Sequence, residues 1–378
     1  MIITKENSPH IRGKASVTRM MADVLIALAP TLIFAFIVYP SQAAINLSLS
    51  LFIMNACEFV YVGLRNMMPK DGQKHSFKEK FEHSYKGNYG INNVLTASIT
   101  AVIFTLIMPA GAPIYAIICG AFFGIVFGKL VFGGLGSNIF NPAAVGMVFS
   151  KLCFGSQYNV NVPTWYYSPV SDVNAGPTPL SGSLSSSLFN EVNNMDYYSL
   201  QDMFFGRIPG TLGEVYKITI IIGLIYLLVR RSADYRIVVS YLGSFIVLSL
   251  VAGLSIFGKN PAVNPLNFTL YSVLGGGVLF GAVFMMTDPV TSPINSPSRV
   301  IYGMVAAIFT VYIRLFAALP EGVGFSILLA NMIAPVLDHY EWSNSRYTWK
   351  KILGMGILAV LSILIVFLVI YVGGAYHV

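Results

Sequence analysis

The stretch IFTLIMPAGAPIYAIICGAFFGIVFGKLVFGGLGSNIFNPAAVG, Ile103 to Gly146, decides the fold. It reads as the end of an apolar span, a proline turn, and a Gly/Ala-rich span closing on Lys129. A glycine-rich link follows, then Asn141-Pro142 at the head of a further apolar run. The same order returns in AVFMMTDPVTSPINSPSRVIYGMVAAIFTVYIRLFAALPEGVGFSILLANMIAPVLD, Ala282 to Asp338, with Arg314 as the base and Asn331 and Pro335 near the end. Few residues are identical, so the repeat is one of pattern.

Working outward, eleven hydrophobic segments appear, at about 21–39, 42–64, 92–108, 114–132, 140–154, 215–229, 234–257, 267–287, 300–317, 322–338 and 352–375. The fifth and tenth are short and carry proline, which predicts broken or re-entrant helices there. Five spans per half is an odd number, so the second half should lie upside down relative to the first, the plan of many transporters. The expected fold is an all-α integral membrane protein of about 10–11 transmembrane helices, in two inverted five-helix repeats plus a C-terminal helix. The expected divisions are a cytoplasmic N-terminal segment (1–20), a first repeat (21–154), an extracytoplasmic loop (155–214), a second repeat (215–338), and a cytoplasmic loop with an extra helix (339–378).

Composition agrees. Apolar residues make up 55% of the 378 and charged residues 10%, against about 25% charged in soluble domains. The alternation of a membrane β-barrel is absent, and the polar first twenty residues predict no cleaved signal. The net charge of +7 has its cause in topology. With the N-terminus in the cytoplasm, most Lys and Arg fall on the inner side, in segments 1–20, 65–91, 230–236 and 339–351 and at Arg299. Nucleic acid is therefore not needed to explain the basic character. The same count puts loop 155–214 outside. Cys57, Cys119 and Cys153 lie in apolar runs and form no CxxC pair, which predicts buried thiols.

Several polar residues stand out in this apolar setting. Asn138 and Asn141, in GGLGSNIFNPA, can cap a helix beside tightly packed glycines, or can bind a polar ring or an anion. Glu58 lies deep in its span, where a carboxylate calls for a partner in protein, water or an ion. Asp23 and Asp338 sit near span ends, where either the interface or a functional role would account for them. Asp288-Pro289 reads as a turn. In the outer loop, DVNAGPTP sets Asp172, Gly176 and Thr178 in a run that glycine and proline keep out of a helix. A turn is one reading; an exposed hydroxyl open to modification is the other.

Taken in order, SPHIRGKASVTRMM, GKLVFGGLGSNIFNPAAVG, DVNAGPTPL, IPGTLGEV, MTDPVTSP and LPEGVGFSILLANMIAPVLD resemble the D subunit of the Rnf ferredoxin:NAD oxidoreductase complex. More distantly the chain is similar to the B subunit of the sodium-translocating NADH:quinone reductase. The start at SPHIRGK, without the latter's N-terminal extension, favours the Rnf type. The resemblance implies FMN joined through its phosphate to Thr178, in a motif that keeps Asp172 and Gly176 but has Ala175 where Ser or Thr is usual and Pro177 where Ala is usual. It also implies a non-covalent riboflavin near Asn138 and Asn141, and roles in ion movement for Glu58 and Asp338.

The implied partners are the other membrane and peripheral subunits of the complex, among them a second covalent flavoprotein subunit and iron–sulfur subunits, with a flavin transferase for maturation and membrane lipid around the chain. The implied location is the prokaryotic inner membrane. With no GxGxxG after a strand and no cysteine cluster, sites for NAD and ferredoxin are expected on those partners. The rival reading is a solute channel or transporter built on the same inverted plan.

Overall fold

A computed structural model describes residues 16–66, 85, 88–158, 199–208, 210–258, 261, 263–316, 322–339 and 346–373. The flavin-loop candidates Asp172, Gly176 and Thr178 lie outside the described residues. The chain is all-α, and helices fall on each of the eleven expected segments. The first half contains α1 (Val17–Val38), α2 (Pro40–Asn66), α3 (Ile91–Ile107), α4 (Ile114–Ile125) and α5 (Pro142–Phe154). A short α6 (Leu200–Phe205) precedes the second half, which contains α7 (Lys217–Arg230), α8 (Tyr235–Phe257), α9 (Pro265–Leu274), α10 (Val278–Phe280), α11 (Ser296–Phe316) and α12 (Val323–Asp338). Helix α13 (Trp349–Gly373) follows.

Local chemistry fixes where helices begin. Asn141 Oδ1 accepts from the amides of Ala143 and Ala144, with Pro142 in the first helical position. Asn264-Pro265 starts α9 in the same way. Both pairs satisfy amides that a helix start leaves open, and proline has no N–H to lose there.

The two halves share one packing plan. In each, the second helix packs on the third and fourth, and the fourth packs on the fifth. The halves meet through their first helices. Thr31 donates to Thr219 at 3.2 Å, while Arg230 Nε donates to Asp23 at 3.1 Å. As α1 advances, α7 therefore runs backward, which is what inverted halves require. Helix α13 packs on the outside of α8 and α11.

Two expectations need correction. The fifth and tenth segments are short but not broken: Pro142 sits at the first position of α5, and Pro335 lies near the end of α12. The break falls in the eighth segment, where α9 and the helix after it meet at 60° across the Gly275–Gly277 run. Three successive glycines remove the side chains that hold a helix together and free the backbone to turn. The cysteines are free, but Cys119 and Cys153 are exposed on the outer surface of the bundle. In a membrane, an apolar neighbourhood for a thiol is supplied by lipid as readily as by protein.

By length and composition, five helices among the described residues can cross a bilayer alone, or six if the bent pair counts as one span. The shorter members must be held by their neighbours. Helices α4 and α5 show how. A Cβ on Gly124 would stand 2.7 Å from the Pro142 carbonyl oxygen, and one on Gly146 would stand 2.6 Å from the Gly120 carbonyl oxygen. Backbone meets backbone, as small residues permit in membranes. Helix α4 then continues through a π turn, Val126–Leu130. The link Gly133-Gly134 follows, with φ of 118° and 91°, a region that L side chains avoid.

The motif IPGTLGEV also has a structural place. Leu212 and Gly213 donate amide hydrogens to Met108 and Leu106 carbonyls at 3.2 and 2.7 Å. This segment seals the end of α3 and leads the chain into α7.

Candidate functional site

At the interface of the two halves, on the predicted inner side, lies a cavity of about 80 Å³. The α4–α5 link and the head of α5 give it Asn138, Asn141 and Lys129; α3 gives Thr96 and Thr100; the second half gives Asp288. Apolar residues of α1, α3 and the turn after α10 close the rest. The cavity's lining is mostly apolar with a few polar groups, and it is smaller than a typical ligand pocket of about 300–1,000 Å³.

Asn141 is held from both halves. Its backbone N–H donates to Asn331 Oδ1 at 3.1 Å, and its side-chain amide donates to the Met285 carbonyl at 3.3 Å. Asn331 is the second half's own asparagine, and it also donates to Tyr302 Oη at 2.7 Å. The head of α5 is thus fixed by the repeat partner, across 190 residues of chain. Asn138 turns back to donate to the Phe140 carbonyl at 3.1 Å. Asn141 is the cap of α5, and both asparagines are among the residues that line the cavity.

Glu58 is 1% exposed and pairs with Lys129, whose Nζ stands 2.9 Å from its Oε2 and is itself 3% exposed. Asn93 Nδ2 donates to the other oxygen at 3.1 Å, and Lys129 also donates to Thr96 Oγ1 at 2.9 Å. The ammonium lies on the cavity wall; the carboxylate lies behind it.

Asp338 is elsewhere. It accepts from the Ile294 amide at 2.9 Å and from Asn295 at 3.4 Å, tying the end of α12 to the loop before α11. Asp23, close to the predicted inner surface, is 3% exposed. It accepts from Tyr226, Arg230 and Ser232, with Ser232 at 2.8 Å. This is a structural tie between the halves. Asp288 does make the expected turn, accepting from the Val290 amide and Thr291 Oγ1, and in addition it faces the cavity.

Sequence reasoning does not single out Lys129, Asp288, Thr96 or Asn331 as site residues. The repeat holds the signal for two of them, because Lys129 and Asn331 both stand at repeated positions.

An all-α polytopic membrane protein with inverted halves, a cavity at their junction and a buried ion pair beside it has the plan of a membrane translocase. The chain belongs to the NQR2, RnfD, RnfE family, whose model matches residues 4–345.

Among its relatives, the D subunit of the Na(+)-translocating ferredoxin:NAD(+) oxidoreductase complex of Acetobacterium woodii is 28% identical over 362 residues, covering 93% of this chain and 96% of the relative. The D subunit of the proton-translocating ferredoxin:NAD(+) oxidoreductase complex of Clostridium ljungdahlii is 28% identical over 348 residues, covering 90% and 94%. The B subunit of the Na(+)-translocating NADH-quinone reductase of Chromohalobacter salexigens is 36% identical over 236 residues. That match covers 62% of this chain and 55% of the relative, so the chain spans about half the length of such quinone reductase relatives.

Proposed function

We propose that this protein is a membrane electron-transfer subunit of a redox-driven cation pump of the Rnf type, carrying FMN on Thr178. The observation that carries the reading is the cavity at the junction of the repeats, lined by Lys129, which pairs with Glu58 behind it. It occurs in a chain similar over nearly its whole length to subunits named for ferredoxin:NAD(+) oxidoreduction. Flavin supplies the one-electron steps; protein supplies position and potential.

The cavity's donor set is of the kind a second, non-covalent flavin uses, and its walls, which enclose about 80 Å³, would part to admit the ring. Asn138, Asn141, Thr96 and Thr100 offer amide and hydroxyl groups to a polar rim, and Ile99, Ile103 and Phe284 offer apolar faces. Glu58 and Asp338 are the proposed ion-pathway carboxylates. Partner subunits of an Rnf complex, a flavin transferase and a location in the inner membrane with the N-terminus inside belong to the same proposal.

Thr178→Ala tests it. The wild-type chain, denatured and run on a gel, should fluoresce and weigh one FMN phosphoester more than its sequence. The variant should insert and show neither property. A variant band as fluorescent as wild type would reject Thr178 as the acceptor. A wild-type chain with no bound chromophore would favour the solute-transporter reading.

A further inference from the structure

Helices α2 and α3 face each other with a column of polar groups that runs beyond the cavity, past Thr96, Thr100 and Glu58. Asn46, Ser50 and Glu58 are spaced four and eight residues apart on the buried face of α2, and Thr96, Thr100 and Thr105 are buried on α3. The antiparallel register is set by Asn93 donating to Glu58, Asn55 donating to Ser98 and Thr105 donating to the Asn46 carbonyl. Two of these groups, Asn46 Nδ2 and Ser50 Oγ, are fully enclosed and have no hydrogen-bond partner among the described residues. An enclosed polar atom in a membrane is costly unless water or an ion reaches it. The column begins at Glu58, and Glu58 is shut off from the cavity by Lys129.

We propose that Lys129 is a tethered cation that plugs the inner end of this polar path, and that an alkali cation takes its place at Glu58 when the ammonium turns into the cavity toward Asp288. This rests on the reading of Glu58 as an ion-pathway residue and names what holds the site between ions. Three features carry it. The ammonium touches Glu58, and Lys129 also lines the cavity that Asp288 shares, so both carboxylates border one space with the same base. Asp288 lines the same cavity and lies within electrostatic reach of Lys129. Lys129 sits in the π turn Val126–Leu130, a local break in α-helical hydrogen bonding of a kind often found at functional sites. The second half also has a π turn, Gly281–Met285, but it carries no base; Arg314, the matching base, is anchored instead, donating to the Ser272 and Gly275 carbonyls at 2.7 and 3.0 Å and lying against the Phe245 ring.

The test needs neither flavin nor turnover, so it stands or falls apart from the flavin assignment. The assembled complex carrying wild-type chain, Lys129→Met or Lys129→Gln is heated in choline, sodium, lithium or potassium chloride at one ionic strength, and the midpoint for loss of intact complex is read. The wild type should be indifferent to the cation, because Lys129 holds the place. The neutral variants should melt lower in choline and recover by several degrees in at least one alkali salt. Glu58→Gln combined with Lys129→Met should melt alike in all four. Variants equally unstable in every salt, or unable to assemble in any, would show that no alkali ion replaces the ammonium and would overturn the proposal. So would a rescue that survives in the Glu58→Gln double variant.

Discussion

Glu58 shows what a residue in a membrane can disclose from sequence and what it cannot. A carboxylate in an apolar run must have company, and that much is readable. Its companion is not, because Lys129 is 71 positions away in sequence and looks like an ordinary base at a span end. Asn331 is hidden for the same reason: a helical asparagine is common, and only the repeat brings it to Asn141. Asp288 reads correctly as a turn, yet its second side faces a cavity that only packing creates. The ion-site reading predicts distinct kinetics. Glu58→Gln keeps the side chain's size and removes its charge, leaving Lys129 as the uncompensated member of a buried pair, an imbalance that costs about 3–5 kcal/mol in proteins generally. Turnover of the complex in proteoliposomes should lose its dependence on cation concentration or need more cation, while flavin on Thr178 remains. Asp338→Asn should shift the same curve, although it lies away from the cavity. Curves that superimpose on wild type for both variants would end the ion-site assignment.

At the scale of the element, hydropathy locates the helices, because burial in lipid demands length and apolarity from each span. It does not locate the break. Proline draws attention to α5 and α12, where it is harmless at a first position or near a helix end. The true bend lies at three glycines in an otherwise apolar run, where hydropathy has no dip to report. Glycine also decides the α4–α5 contact. Gly124→Val would drive a branched side chain into the Pro142 carbonyl, 2.7 Å from where its Cβ must stand. Overpacking of this kind costs about 1–3 kcal/mol. It should also move the head of α5, and with it Asn141. The variant complex should melt earlier than wild type, whereas Gly136→Ser, at a position with open space around it but a positive φ of 81°, should lose less. Equal losses would mean that helix contact is not what Gly124 provides.

For the whole molecule, the charge count and the repeat lead to one arrangement, and the antiparallel run of α1 against α7 agrees with it. Sidedness is open to direct measurement. Single cysteines placed in a chain lacking Cys57, Cys119 and Cys153 should react with an impermeant thiol reagent in intact cells within 155–214, and remain unlabelled within 65–91 and 339–351. Labelling of 65–91 from outside would reverse the orientation. The hydrogen bond from Asn141 to Asn331 has a consequence for how such a chain is made. Helix α5 has 13 residues, about 20 Å at 1.5 Å per residue, too few to cross a bilayer of about 30 Å unaided. The partner that holds its first amide leaves the ribosome 190 residues later. Through most of synthesis, then, the head of α5 waits, and the inner cavity has only one of its two sides. Biogenesis of the site is tied to completion of the second half, so a chain stalled between α5 and α12 should offer the insertion machinery an unfinished helix that quality-control proteases can seize.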